Sequence, residues 1–92
     1  RIDGECAALQ FVAERPGQRW QVGDTPCLKD GPLTMSADPG CQCELHLIYN
    51  GKLLVRGRRV LRHTITQPGV YRLEAYRKGR PWLYSNPIYV EA

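Results

Sequence analysis

The sequence has 92 residues, enough for one small domain with a single hydrophobic core. Hydrophobic residues make up 42% of it and charged residues 24%, as in ordinary globular proteins, and no run approaches the about eighteen apolar residues that a transmembrane helix needs. The net charge of +4 is compatible with an acidic partner. We therefore expect one domain over residues 1–92, with no membrane partner and no deep active site.

The N-terminus is polar and begins with Arg1 instead of Met, so we expect a fragment of a larger protein without a signal peptide. Further along, stretches of β character alternate with Gly- and Pro-rich turns, and no helical periodicity of useful length occurs. The predicted strands are 6–14, 19–22, 32–37, 43–49, 52–56, 59–66, 70–77 and 81–90. This pattern predicts an all-β sandwich or barrel. Pro87 interrupts the last strand, which is therefore expected at a sheet edge or with a bulge.

Two short turns define hairpins in this pattern. Asn50 and Gly51 tolerate positive φ and predict a type I′ turn between strands 43–49 and 52–56. Lys78 and Gly79 predict a second tight turn near the end of the chain. Gly57 is expected to end strand 52–56.

The segment from Pro68 to Leu73 indicates a tyrosine corner, in which a Tyr near a strand start bonds back to the backbone upstream. Tyr71 would fill the corner, and Leu73 stands where antibody domains place a disulfide cysteine. This predicts an immunoglobulin-like antiparallel β-sandwich. The alternative is that Tyr71 is a core aromatic residue of an unrelated β fold.

Four segments together resemble the C-terminal accessory β domain of PHP-type (polymerase and histidinol phosphatase-like) metal-dependent phosphoesterases and related metallohydrolases. They are Gly17-x-x-Trp20-x-x-Gly23-Asp24, Cys43 to Gly51, Gly69-Val70-Tyr71-Arg72-x-Glu74, and Arg80-Pro81-Trp82 through Val90. The resemblance implies a non-catalytic domain that packs against, or presents substrate to, the catalytic domain of the same polypeptide. The resemblance is most specific in the last two predicted strands.

The histidines and cysteines do not predict catalysis or a cofactor. His46 and His63 are too few for the ligand set of a metallophosphoesterase, so we expect no enzyme activity, metal or cofactor in this chain. The nearest metal motif is Cys41-x-Cys43-x-x-His46, but His46 would point away from both cysteines on a regular strand. Free, partly buried thiols are expected, with a cytoplasmic location favoured over export.

A basic segment with interspersed aromatic residues is the predicted interaction surface. Residues 56–80 contain eight basic residues and one acid, Glu74. The predicted surface consists of Trp82, Tyr84, Arg58, Arg59, Arg62, Arg77 and Arg80, whereas Tyr71, Leu73, Asn50 and Gly51 are predicted to be structural. Such a surface suits a stand-alone carbohydrate- or polyanion-binding module, the alternative function. The alternation of strand residues between two faces dilutes the patch, so only weak polyanion binding is expected. The alternative is that one or both tryptophans, Trp20 and Trp82, fill the sandwich core or its contact with a neighbouring domain.

Overall fold

The computed structural model describes residues 9–92, which form nine β-strands and no helix. The strands are β1 (Gln10–Arg15), β2 (Gln18–Gln21), β3 (Leu33–Asp38), β4 (Glu44–Tyr49), β5 (Lys52–Arg58), β6 (Leu61–Ile65), β7 (Gly69–Arg77), β8 (Arg80–Tyr84) and β9 (Ile88–Val90). Within these residues there is consequently no helix that could cross a membrane. The predicted all-β class is confirmed; positions 6–8 of the first predicted strand lie outside the described residues.

The strands form two antiparallel sheets that pack face to face as a β-sandwich. One sheet has the order β2-β1-β3-β6, and the other has the order β5-β4-β7-β8, with β9 also paired to β7. β8 and β9 pair with successive parts of β7, and residues 85–87 separate them. The prediction that Pro87 interrupts the last strand is therefore confirmed.

Alternating apolar residues on the facing sides of the sheets form the core. In β7, Tyr71, Leu73 and Ala75 are at most 2% exposed, whereas the residues between them are partly exposed. Leu33 and Met35 of β3 are completely buried opposite them in the sandwich. Period-two alternation in the sequence thus gives β3 and β7 one face in the core.

The two predicted hairpin turns are present. Asn50 and Gly51 have φ angles of 49° and 84°, and Lys78 and Gly79 have φ angles of 52° and 77°. The prediction about Gly57 is wrong, because Gly57 lies inside β5 and pairs with Leu45 of β4. A Cβ atom at this position would lie 2.8 Å from the carbonyl oxygen of Val60, so the glycine allows the chain to approach closely where it turns towards β6.

The predicted tyrosine-corner bond is also present. The Tyr71 hydroxyl donates to the carbonyl of Gln67 over 2.7 Å, and the Tyr49 hydroxyl donates to the adjacent carbonyl of Pro68 over 2.7 Å. The two rings stack with centroids 4.7 Å apart. Asn50 adds a third tie, since its side chain accepts a hydrogen bond from the Val70 amide. The turn before β7 is therefore fixed to the turn of the β4–β5 hairpin.

Candidate functional site

A pocket of about 360 Å³ opens at one end of the sheet that contains β4, β5 and β7. We call it the basic pocket; its main lining residues are Cys43, Glu44, Arg58, Tyr76, Arg77 and Lys78. The tight turn after β7 places Arg77 and Lys78 at the tip of the β7–β8 hairpin. Arg58 arrives from β5, where it pairs in register with Glu44.

Among the described residues, three basic side chains and one carboxylate line the basic pocket, and that carboxylate has a partner. Glu44 lies 2.6 Å from Nε2 of His46. This hydrogen bond is the main reason why the pKa of Glu44 is lowered, and the nearby charges of Arg56 and Arg58 lower it further. Burial raises the pKa of the Cys43 thiol, while the positive charge of Arg77 opposes that rise. The positive charges of the pocket thus act on both Glu44 and Cys43.

Trp82 supports the basic pocket from the core side. The guanidinium of Arg77 lies 5.3 Å above the Trp82 ring, a cation–π contact that restricts its orientation. Trp82 is half-buried and packs against the hydrophobic core. The other predicted surface aromatic residue, Tyr84, has 61% of its surface exposed.

The structure divides the predicted interaction surface among several places. Arg58 and Arg77 meet at the basic pocket, and Lys78 joins them although the predicted surface omitted it. Arg62 lies on β6 in the other sheet, where it lines a separate depression with Glu14 and Arg19. Arg59 lies in the turn after β5, and Arg80 begins β8. The Lys78-Gly79 turn signal was sufficient to place Lys78 at a hairpin tip beside Arg77.

A second depression runs between the two sheets near β2 and the end of β8. We call it the edge groove; it has a volume of about 490 Å³ and is lined mainly by Leu9, Val12, Val22, Leu83, Tyr84 and Ser85. Val22 and Tyr84 expose 39% and 61% of their surfaces there. The sequence pattern did not predict this groove, because its residues come from strands that are distant in the chain.

A hydrogen-bonded network covers the outer face of β7 next to the basic pocket. Glu74 accepts hydrogen bonds from Arg72 at 2.5 Å and from the Tyr76 hydroxyl at 2.8 Å. The Tyr76 ring in turn contacts the His46 ring, with centroids 4.5 Å apart. The aromatic wall of the basic pocket is thus held in place from its outer side.

The cysteines correct one expectation. Cys41 is disulfide-bonded, and only Cys27 and Cys43 of the described residues are free thiols. Cys43 belongs to the buried core, whereas His46 joins Glu44 and Tyr76 in the polar network. Cys41, Cys43 and His46 therefore do not converge, and within residues 9–92 no three His, Cys, Asp or Glu side chains are placed to hold a metal ion.

No protein-family model matches the chain, and no curated protein or solved structure is significantly similar to it. The class that the structure defines is the two-sheet antiparallel β-sandwich. The resemblance to accessory domains of PHP-type proteins concerns the four sequence segments named above.

Proposed function

We propose that this chain is a non-catalytic accessory domain of a larger protein and that its edge groove packs against a PHP-type metal-dependent phosphoesterase domain of the same polypeptide. The sequence segments around Trp20, Tyr71 and Trp82 supply the family part of the proposal. The edge groove supplies the contact surface, and its exposed apolar side chains are the observation that carries the proposal.

The position of the edge groove suits a partner that precedes this domain in the chain. Leu9, where the described chain begins, is itself a lining residue of the groove. The described chain therefore begins beside this groove, and we propose that the preceding domain packs there. Covering Val22 and Tyr84 would remove apolar surface from water, which favours association by about 25 cal/mol for each Å² buried.

We also infer that the sandwich is of the immunoglobulin-like subclass. In one sheet β1, β3 and β6 are neighbours, and in the other β5, β4 and β7 are neighbours. The chain changes sheet after β3, after β5 and after β6, which supports this inference. The hydrogen bond from Tyr71 to Gln67 supports the same inference.

Polyanion binding remains the second candidate function. The observation that favours it is the meeting of Arg58, Arg77 and Lys78 at the basic pocket. This pocket and the edge groove lie at opposite ends of β8, so one protein could use both.

Amide hydrogen exchange on the natural longer polypeptide and on the isolated chain tests the proposed docking. We expect slower exchange at residues 9–12 and 83–86 in the longer polypeptide. Tyr84→Arg should abolish that protection, whereas Val60→Arg, at a residue that is 49% exposed and does not line the edge groove, should preserve it. Equal exchange in both forms, or an open reading frame without a His- and Asp-rich metal-binding domain, would contradict the proposal.

The proposal that this chain has no catalytic activity is tested on the isolated chain. With added Mn²⁺ or Zn²⁺ it should hydrolyse no generic phosphoester. Activity that survives purification to homogeneity and disappears in His46→Ala would show that the chain is an enzyme.

A further inference from the structure

The basic pocket combines features that suit a small anion. Arg58 and Lys78 are exposed side chains on two different hairpins, and both line the pocket together with Arg77, the residue before Lys78 in the chain. Arg side chains offer parallel N–H donors to two oxygens of one phosphate or sulfate group, and a Lys ammonium adds a compact charge. The three side chains can therefore surround one oxyanion from two sides.

Several contacts preorganise this arrangement. The Trp82 ring supports the Arg77 guanidinium, and the left-handed backbone at Lys78 and Gly79 fixes the hairpin tip. The register of β5 with β4 sets the position of Arg58. Glu44 is the acidic residue among the described lining residues, and its hydrogen bond to His46 fixes its side chain along β4. A ligand would therefore find the cations already positioned, which lowers the cost of ordering them.

The other cluster of basic residues is less suited to an anion. It lines the depression around Arg62 on the opposite sheet together with Arg15 and Arg19. Arg19 is paired with Glu14 at 3.7 Å, and Arg15 donates to the carbonyls of Cys27 and Gly31. Two of its three guanidinium groups, those of Arg15 and Arg19, are therefore engaged within the protein.

We propose that the basic pocket binds a small oxyanion with at least two negative charges, of the diphosphate or phosphate-ester class, through Arg58, Arg77 and Lys78. The pocket volume of about 360 Å³ leaves room for such a group and part of the molecule that carries it. This inference is independent of docking at the edge groove, because the two surfaces share no lining residue.

Titration with inorganic pyrophosphate at low salt tests the proposal. Calorimetry gives the affinity, and Trp82 fluorescence in a Trp20→Phe background reports binding at the pocket itself, since the chain has two tryptophans. The pocket variant Arg58→Gln/Lys78→Gln leaves Arg77 and Trp82 intact. The control variant Lys52→Gln/Arg62→Gln removes the same net charge at residues outside the pocket.

We expect the pocket variant to bind pyrophosphate at least about tenfold more weakly and the control variant to stay within about twofold of wild type. Glu44→Gln should strengthen binding, since it removes the negative charge of the lining. Failure of wild type to bind, equal weakening in both double variants, or weaker binding by Glu44→Gln would overturn the proposal. A parallel titration with single-stranded DNA identifies diffuse charge attraction, which both double variants should weaken equally.

Discussion

Two tyrosine hydroxyls, those of Tyr49 and Tyr71, close the connection between β6 and β7 by donating to neighbouring carbonyls. Burial and the nearby Tyr49 raise the pKa of Tyr71 to about 12, so its hydroxyl keeps its proton and remains a donor at ordinary pH. The corner is thus a permanent feature of the folded state.

Removing this hydroxyl should destabilise the domain. Tyr71→Phe keeps the buried ring but leaves the Gln67 carbonyl without its donor, so we expect a loss of about 1 kcal/mol or more in the free energy of unfolding. Chemical denaturation measures it, with Tyr84→Phe as the exposed control. An unchanged denaturation midpoint in Tyr71→Phe would show that the hydroxyl bond contributes nothing to stability.

Gly69 is required for a different reason from the other turn glycines. Its φ is 151°, and a Cβ atom there would clash with the Tyr49 ring and lie 2.8 Å from Oδ1 of Asn50. Gly69→Ala should therefore cost about 3 kcal/mol in unfolding free energy, through backbone strain and displacement of the corner. Gly79→Ala is the control, because its φ is 77° but a Cβ atom would meet nothing within 4 Å. Gly79→Ala should lower the free energy of unfolding by about 1 kcal/mol through backbone strain alone. Equal losses in the two variants would contradict the steric argument.

Among the strands, local signals predicted the two hairpin turns but not where β5 ends. The Asn50-Gly51 and Lys78-Gly79 turns follow from residues that accept positive φ, and the alternation in β7 follows from period two. Gly57 was misinterpreted because a glycine in a strand signals either an end or a close approach, and only the neighbouring Val60 carbonyl decides which. That contact depends on the path of the following residues, which a local pattern does not contain.

The hydrogen-bonded network around Glu74 on β7 should make the free energy of unfolding depend on pH in the acidic range. Burial alone would raise the pKa of Glu74, but hydrogen bonds from Arg72 and Tyr76 outweigh it and hold the pKa below its ordinary 4.5. A lowered folded-state pKa stabilises the fold above the unfolded-state pKa, and this contribution is lost as pH falls through the folded-state value.

Glu74→Gln should consequently be less stable than wild type at neutral pH, and the difference should shrink as pH falls below 4.5. Urea unfolding at neutral and acidic pH measures the difference, with Glu14→Gln on β1 as a control outside the network. A difference that stays constant across this pH range would show that ionised Glu74 does not stabilise the fold.

Over the entire molecule, the candidate surface was only partly predictable. Charge density in residues 56–80 included Arg58 and Arg77, which meet at the basic pocket, but it also included Arg62, which lies in the opposite sheet. Strands that are neighbours in the sequence need not join the same sheet. β6 lies in one sheet, whereas β5 before it and β7 after it lie in the other. The edge groove depends wholly on such long-range placement.

The disulfide of Cys41 should contribute to the stability of the whole domain. A disulfide stabilises chiefly by restricting the unfolded chain, typically by about 2–4 kcal/mol.

We expect Cys41→Ser to lower the free energy of unfolding by about 2–4 kcal/mol, and a reductant to produce the same loss in wild type but no further loss in the variant. Cys27→Ser, at a partly exposed free thiol, is the control and should change stability by less than about 0.5 kcal/mol.

Iodoacetamide labelling followed by mass spectrometry should modify Cys27 in the native protein and Cys41 only after reduction. Buried Cys43 should react slowly, because burial also raises the pKa of its thiol. Labelling of Cys41 without reductant, or stability indifferent to reductant, would contradict a structural disulfide.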